Sequence, residues 1–146
     1  MISVLDFMTK DLVTLRESDD LALAESLLKL GGIRHLPVVR ERKLVGILTH
    51  RDVLRSGRWG TPGARALPVA DVMTRTPTSV RPATGLAQAA RLMLERKYGC
   101  LPVCEDDGTL VGIVTEADFV RFAADVVRDL DLMADAVKAR ERTGEA

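Results

Sequence analysis

The sequence predicts a mixed α/β (α+β) fold of two equivalent units packed about a pseudo-two-fold axis, with an extended C-terminal helix. Residues 45–52 (VGILTHRD) recur as residues 111–118 (VGIVTEAD), and matching positions keep an offset of 65 or 66 residues over most of the chain. The hydrophobic patterns of both copies also follow one order: strand, helix, hairpin and helix. Two such copies create two similar clefts between them, and a functional site is expected there.

The first copy spans residues 1–55 and contains a complete set of these elements. Its hairpin is predicted from two apolar runs around a charged turn, and its first helix from apolar residues at the helical period. Asp19 is the predicted N-cap of that helix, and Gly31-Gly32 is its predicted end because glycine readily adopts the left-handed conformation. In chain order the elements are a strand at 13–15, a helix after Asp19, hairpin strands at 36–39 and 44–48, and a helix from Thr49.

The second copy, residues 69–120, repeats that order, with Thr84 at the matching capping position. Residues 56–68 are rich in glycine, proline and arginine and are predicted to form a flexible linker, in which Trp59 is expected to pack on the surface. Apolar residues then recur every three or four positions into residues 121–146, which are predicted to form a C-terminal helix and tail. That helix either covers its own domain or packs on a second subunit.

The composition limits the classes of function. A chain of 146 residues with 47% hydrophobic residues can bury a core of ordinary size, and its 21 basic and 21 acidic residues give no net attraction to nucleic acid or to an anionic membrane. The apolar runs are too short to span a membrane, and the N-terminus lacks the features of a signal peptide. With two cysteines and no set of metal-ligand residues, the chain is expected to be cytoplasmic and to have no metal site.

The repeated motifs resemble those of the cystathionine-β-synthase (CBS) family, in the tandem arrangement called a Bateman module. The resemblance rests on two Gly-Ile-x-Thr-x-x-Asp sequences, on the Leu-Pro-Val of each hairpin, and on matching starts at residues 4–8 and 69–73. It covers residues 3–120 and implies two β-α-β-β-α motifs packed about the pseudo-two-fold axis. It further implies a disc-like homodimer and clefts that often bind adenine-containing ligands.

Thr49 and Asp52 lie at a predicted strand-to-helix junction, as do Thr115 and Asp118 in the second copy. A Ser or Thr followed three residues later by an acid is a capping-box pattern, so both pairs could serve only to satisfy N–H groups at helix starts. A carboxylate at such a junction could equally accept hydrogen bonds from the hydroxyl groups of a ribose. In proteins of the family resembled, the Asp binds the ribose hydroxyls and the Thr lies near the ribose or the phosphate.

The two clefts differ in charge. The residues around the expected phosphate region of the first cleft are Arg34, His35, His50 and Arg51. The matching residues of the second are Gly99, Cys100, Glu116 and Ala117. Because arginine favours phosphate oxygens and glutamate repels them, the first cleft is expected to bind AMP, ADP or ATP. The second is expected to be weaker, empty, or suited to a neutral or cationic ligand such as S-adenosylmethionine. Alternatively, the arginines only solvate the surface.

The resemblance also implies that the segment entering each first strand lies over the cleft of the other motif. Thr78 is therefore expected in the first cleft and Val13 in the second, close to the adenine. Ile33 is expected as an apolar wall of the first cleft, and Tyr98 as an apolar wall of the second.

The leading functional hypothesis is a regulatory module that binds an adenine nucleotide between its motifs and transmits the bound state to an unidentified effector protein. The alternative is a structural dimerisation or scaffold module without a physiological nucleotide. No acid–base–nucleophile set surrounds the two histidines. No catalytic residue is therefore assigned, and neither an enzyme nor a required cofactor is expected.

Overall fold

The computed structural model describes residues 1–58 and 61–144, so Trp59 lies outside the described residues. Two compact units are present, Met1–Val114 and Thr115–Ala146. The helices are α1 (Leu21–Leu30), α2 (His50–Arg55), α3 (Leu86–Arg96) and α4 (Glu116–Thr143). The strands are β1 (His35–Arg40), β2 (Lys43–Thr49), β3 (Thr74–Arg75), β4 (Cys100–Cys104) and β5 (Leu110–Thr115).

Both predicted hairpins are confirmed. Strands β1, β2 and β3 form an antiparallel sheet in that order, and β4 pairs with β5. The β1–β2 turn is the pair Glu41-Arg42, which both have positive φ, as a two-residue type I′ turn requires. The predicted first strand of each copy is shorter than expected. It is reduced to one parallel bridge, from Leu15 to β1 and from Val80 to β4.

The predicted N-caps of the first helix in each copy are wrong by one residue. Helix α1 is capped by Asp20, whose carboxylate accepts a first-turn N–H at 2.8 Å. Asp19 instead accepts the N–H three residues before it, at 2.7 Å. Thr84 does the same at 3.0 Å, which leaves Gly85 as the N-cap of α3. In both copies the predicted capping side chain closes the tight turn that leads into the helix, so it is not available to the helix itself.

The predicted end of α1 is confirmed. Gly31 is the C-cap, and Gly32 has the left-handed φ of 59° that allows the chain to leave the helix. The matching residue after α3 is Lys97, which takes nearly the same conformation, with a φ of 58°. The second copy therefore keeps the geometry of this helix end without its glycine.

The two copies interlock through their leading methionines. Gly46 lies in the buried part of β2, and a Cβ atom built on it would lie 2.5 Å from Sδ of Met73. Gly112 of the second copy is covered in the same way by Met8. The start of each copy thus packs on the Gly-Ile motif of the other copy. Only glycine leaves room for these contacts, which explains why both motifs contain it.

The core consists mainly of aliphatic side chains from both copies, since only 3% of the residues are aromatic. The largest fully buried side chains include Leu15, Leu21, Leu36, Leu48, Leu101 and Val103. The end of the predicted linker packs on α1, since the Leu21 N–H donates to the Leu67 carbonyl at 2.9 Å. Within residues 1–58 and 61–144, no helix is both long and apolar enough to cross a membrane.

Candidate functional site

The first candidate site is the junction where β2 passes into α2. Thr49 and Asp52 form a complete capping box there. The Asp52 N–H donates to Thr49 Oγ1 at 3.1 Å, and the Thr49 N–H donates to Asp52 Oδ2 at 2.9 Å. The carboxylate is half-buried and held in one orientation by its Oδ2 atom. Its Oδ1 atom remains available to a second group.

That second group is the hydroxyl of Thr74, which the sequence interpretation did not assign to a site. Strand β3 pairs with β2, with Thr74 opposite Ile47, and this pairing brings Thr74 Oγ1 within 3.4 Å of Asp52 Oδ1. The repeated Met-Thr dipeptide at residues 8–9 and 73–74 was the available signal. It marked the repeat, but sequence spacing could not place its threonine beside an aspartate 22 residues away.

The cationic residues predicted for this site lie on segments at the same end of the sheet. His35 is the register partner of Thr49, so the segment that carries Arg34 lies beside the start of α2. Arg51 occupies the first turn of that helix. Both arginines are exposed, while Asp52 is half-buried. The site therefore combines one oriented carboxylate with solvent-facing cations, an arrangement that suits a ligand with both hydroxyl and anionic groups.

Thr78 and Tyr98, which the sequence interpretation assigned to different clefts, lie side by side. Their hydroxyl oxygens are 3.0 Å apart and share a hydrogen bond. Ile33 is half-buried, packs against the core cluster of the first copy, and folds over Gly31. The described contacts therefore associate Tyr98 with Thr78.

Part of the charge difference between the copies has a packing explanation. A Cβ atom on Gly99 would lie 2.8 Å from Nε2 of His35. The imidazole of His35 thus occupies space left open by Gly99, which is the counterpart of Arg34 in the second copy. The two copies therefore differ here in side-chain size as well as in charge, with Arg34-His35 in the first and Gly99-Cys100 in the second.

The second junction, between β5 and α4, has the same capping box with a different additional partner. The Thr115 N–H donates to Asp118 Oδ2 at 2.9 Å, and the Asp118 N–H donates to Thr115 Oγ1 at 3.4 Å. Asp118 Oδ1 accepts a hydrogen bond from the Arg121 guanidinium at 3.0 Å. An internal cation therefore neutralises this carboxylate, whereas Asp52 interacts with a neutral hydroxyl. Val13, the other residue predicted for the second cleft, is 40% exposed.

Side chains of the types that ligate metals lie apart from one another in the described parts of the chain. No three side chains of His, Cys, Asp or Glu come together there in a way that could hold an ion. The Cys104 thiol is buried, and burial raises its pKa. At the two junctions, the described residues can bind a ligand through hydrogen bonds and charge.

The family follows from the two repeats. A family model of the CBS domain matches residues 4–58 and again residues 69–125. The chain belongs to the CBS domain family. The resemblance identified from the sequence is thereby confirmed, as is the fold class of paired α+β motifs.

Solved CBS-pair structures are similar to this chain over most of its length. A putative acetoin utilization protein (AcuB) from Vibrio cholerae is 38% identical, with a TM-score of 0.81 over 90% of this chain and 96% of that one. CBSX2 in complex with AMP is 34% identical, with a TM-score of 0.75 over 86% and 98%. The CBS domain pair of MJ0100, in complex with 5′-methylthioadenosine and S-adenosyl-L-methionine, is 27% identical, with a TM-score of 0.75 over 86% and 98%.

Some relatives of this chain are much longer proteins. Inosine-5′-monophosphate dehydrogenase from Korarchaeum cryptofilum is 37% identical over 112 residues, which are 77% of this chain but only 22% of that enzyme. The CBS domain chain therefore spans about a fifth of this relative's length, and the similarity concerns that part alone.

Proposed function

We propose that this protein is a regulatory ligand-sensing module that binds an adenine nucleotide of the AMP, ADP or ATP type in the first cleft. The observation that carries the proposal is the orientation of Asp52, whose Oδ2 is held by the Thr49 N–H while Oδ1 contacts a neutral threonine hydroxyl. Such a carboxylate can accept the hydroxyl hydrogen bonds of a ribose. The complex of the related CBSX2 with AMP supports this ligand class.

Three groups of residues are proposed to bind the ribose, the phosphate and the base of the nucleotide. Asp52 receives the ribose hydroxyls in exchange for the Thr74 contact, which is long at 3.4 Å and therefore weak. Arg34 and Arg51 pair with the phosphate, since guanidinium groups bind phosphate oxygens by charge-assisted hydrogen bonds. The base packs near Thr78, with Ile33 as a further apolar wall.

Tyr98 contributes to the same recognition through its hydrogen bond with Thr78. We therefore assign it to the adenine region of the first cleft, although the sequence alone favoured the second. Its ring offers a surface for the base, and its hydroxyl orients the threonine.

The second cleft is expected to discriminate against phosphorylated ligands. Arg121 already neutralises Asp118, and Glu116 adds a negative charge in the first turn of α4. A ligand for the Thr115 and Asp118 junction would have to be neutral or cationic, as S-adenosylmethionine is. The complex of the related MJ0100 pair with that compound supports this class.

Binding is proposed to alter the packing of the two motifs and to be read by a partner, either a second subunit in a disc-like homodimer or a separate effector protein. The protein would thus act by binding, without catalysis or a required cofactor. The alternative is a scaffold without a nucleotide. Its specific support is that both aspartates complete capping boxes, a sufficient structural role.

The test compares Asp52→Asn with the matched variant Asp118→Asn by titration calorimetry with AMP, ADP, ATP and S-adenosylmethionine. An asparagine retains an oxygen for the Thr49 N–H, so the cap survives, but it loses the charge and one acceptor. We expect Asp52→Asn to weaken nucleotide binding by about 10- to 100-fold, the effect of losing a charged hydrogen bond. Asp118→Asn should leave it unchanged. Equal nucleotide affinity in wild type and Asp52→Asn would contradict the site, and no binding to wild type would favour the scaffold.

A further inference from the structure

Helix α4 carries an apolar stripe along one side that is exposed except at Phe119, which is half-buried. None of its 28 residues is buried, and Leu130 and Met133 are 58% and 66% exposed. The spacing of the stripe averages about 3.6 residues, so it stays on one face of a straight helix for about 27 Å. We define the apolar stripe as Phe119, Phe122, Val126, Leu130, Met133 and Val137.

We propose that the apolar stripe binds the apolar stripe of a second copy of this chain, with the two α4 helices antiparallel. A continuous exposed apolar face of this length is typical of a surface that another protein covers. The stripe is also symmetric about residue 128, so antiparallel pairing at that point gives every member an apolar counterpart. The opposed pairs are Phe119 with Val137, Phe122 with Met133, and Val126 with Leu130.

The charges along α4 favour the antiparallel orientation. Residues 116–135 contain six carboxylates and two arginines, whereas residues 136–143 contain three basic residues and one glutamate. In an antiparallel pair centred on residue 128, residues 136–140 of each helix face residues 116–120 of the other, which hold Glu116 and Asp118, whereas a parallel pair would align like charges. The basic end of each helix would then lie beside Glu116 and Asp118 of the other helix; it carries Lys138, Arg140 and Arg142.

The centre of the proposed interface contains a potential repulsion that the helix itself partly relieves. Asp125 and Asp129 flank the stripe near the symmetry point, so those of the two chains would approach each other. Arg128 pairs with both on its own helix, at 3.3 Å from Asp125 and 3.6 Å from Asp129. Arg128 thus reduces the charge of this group without cancelling it, and the apolar contacts determine the pairing.

The first test is the molar mass of Leu130→Glu and its matched control Leu132→Glu, measured by light scattering over a concentration series. Leu132 is 63% exposed, similar to Leu130, but lies about 200° further around the helix, away from the stripe. We expect Leu130→Glu to raise the dissociation constant of the assembly by about 100-fold, because each dimer would contain the charge twice. Leu132→Glu should retain the wild-type constant. Identical behaviour of the two variants, or a wild type that stays monomeric, would overturn the proposal.

The second test determines orientation by the distance between spin labels at Glu141→Cys in the two chains, in a protein with Cys100 and Cys104 replaced by alanine. Antiparallel pairing about residue 128 separates these positions by about 39 Å, and parallel pairing by about 10 Å. A label at Asp129→Cys serves as the control, since it should give a short distance in either case. A short distance at position 141 would overturn the antiparallel arrangement. Neither test depends on nucleotide binding, so the outcome is separate from that of the Asp52 variants.

Discussion

The contact between Gly46 and Met73 allows a quantitative prediction. In Gly46→Ala the new Cβ would lie 2.5 Å from Met73 Sδ and 3.0 Å from the Thr74 carbonyl oxygen. Met73 is buried and cannot move away without leaving a void. Overpacking of this kind usually costs about 1–3 kcal/mol, and the reduced freedom of the unfolded chain recovers only about 0.4–1 kcal/mol. We therefore expect the free energy of unfolding to fall by about 1–2 kcal/mol.

A double-mutant cycle in urea measures whether this contact is the cause. Met73→Ala alone should cost about 2–5 kcal/mol as a buried truncation, but it creates the space that the methyl group added by Gly46→Ala needs. The double variant should therefore be more stable than the sum of the single effects by about 1 kcal/mol or more. Met8→Ala provides the control, because Met8 covers Gly112, and its effect should add to that of Gly46→Ala. Additivity with Met73→Ala, or equal coupling with Met8→Ala, would refute the interlocked arrangement.

Three further predictions concern single groups. Lys97→Gly should raise the free energy of unfolding by about 0.5–1 kcal/mol in urea titrations, because Lys97 has a φ of 58° that glycine adopts without strain. Hydrogen bonds from Thr109, then from Lys43, lower the pKa of Asp107 to about 2, so its contribution to stability is present above about pH 4 and lost as the pH falls toward 2. The urea midpoint of wild type should thus exceed that of Asp107→Ala above pH 4 and converge with it near pH 2. Burial raises the pKa of the Cys104 thiol, so alkylation at pH 8 should modify Cys100 first.

Each of these has a contrary outcome. A destabilised Lys97→Gly would mean that the lysine side chain contributes more than its backbone strain costs. An Asp107 variant whose difference from wild type is independent of pH would contradict the ionised hydrogen-bonded state. Faster labelling of Cys104 than of Cys100 would mean that the second hairpin opens readily in solution.

The sequence was sufficient for features that depend on residues close together in the chain. The two hairpins, the end of α1 at Gly31-Gly32 and the capping boxes at Thr49 and Thr115 all follow from local spacing, and the structure confirms them. The predicted N-cap of α1 was Asp19, whereas the structure has Asp20, and the reason for this error is also local. Two adjacent aspartates offered the same side chain to a turn and to a helix, and only their backbone geometry distinguishes the roles.

By itself, then, the sequence determined the repeat, the family resemblance and the carboxylates at both junctions. These features depend only on which residues occur and at what spacing, and both can be read from the chain directly. Only the tertiary structure decided what those carboxylates meet. Asp52 contacts Thr74, while its counterpart Asp118 is paired with Arg121. The repeat makes the two aspartates equivalent in the chain, but β3 joins β2 through backbone pairing that no short-range pattern encodes. The difference between the sites arises from these contacts.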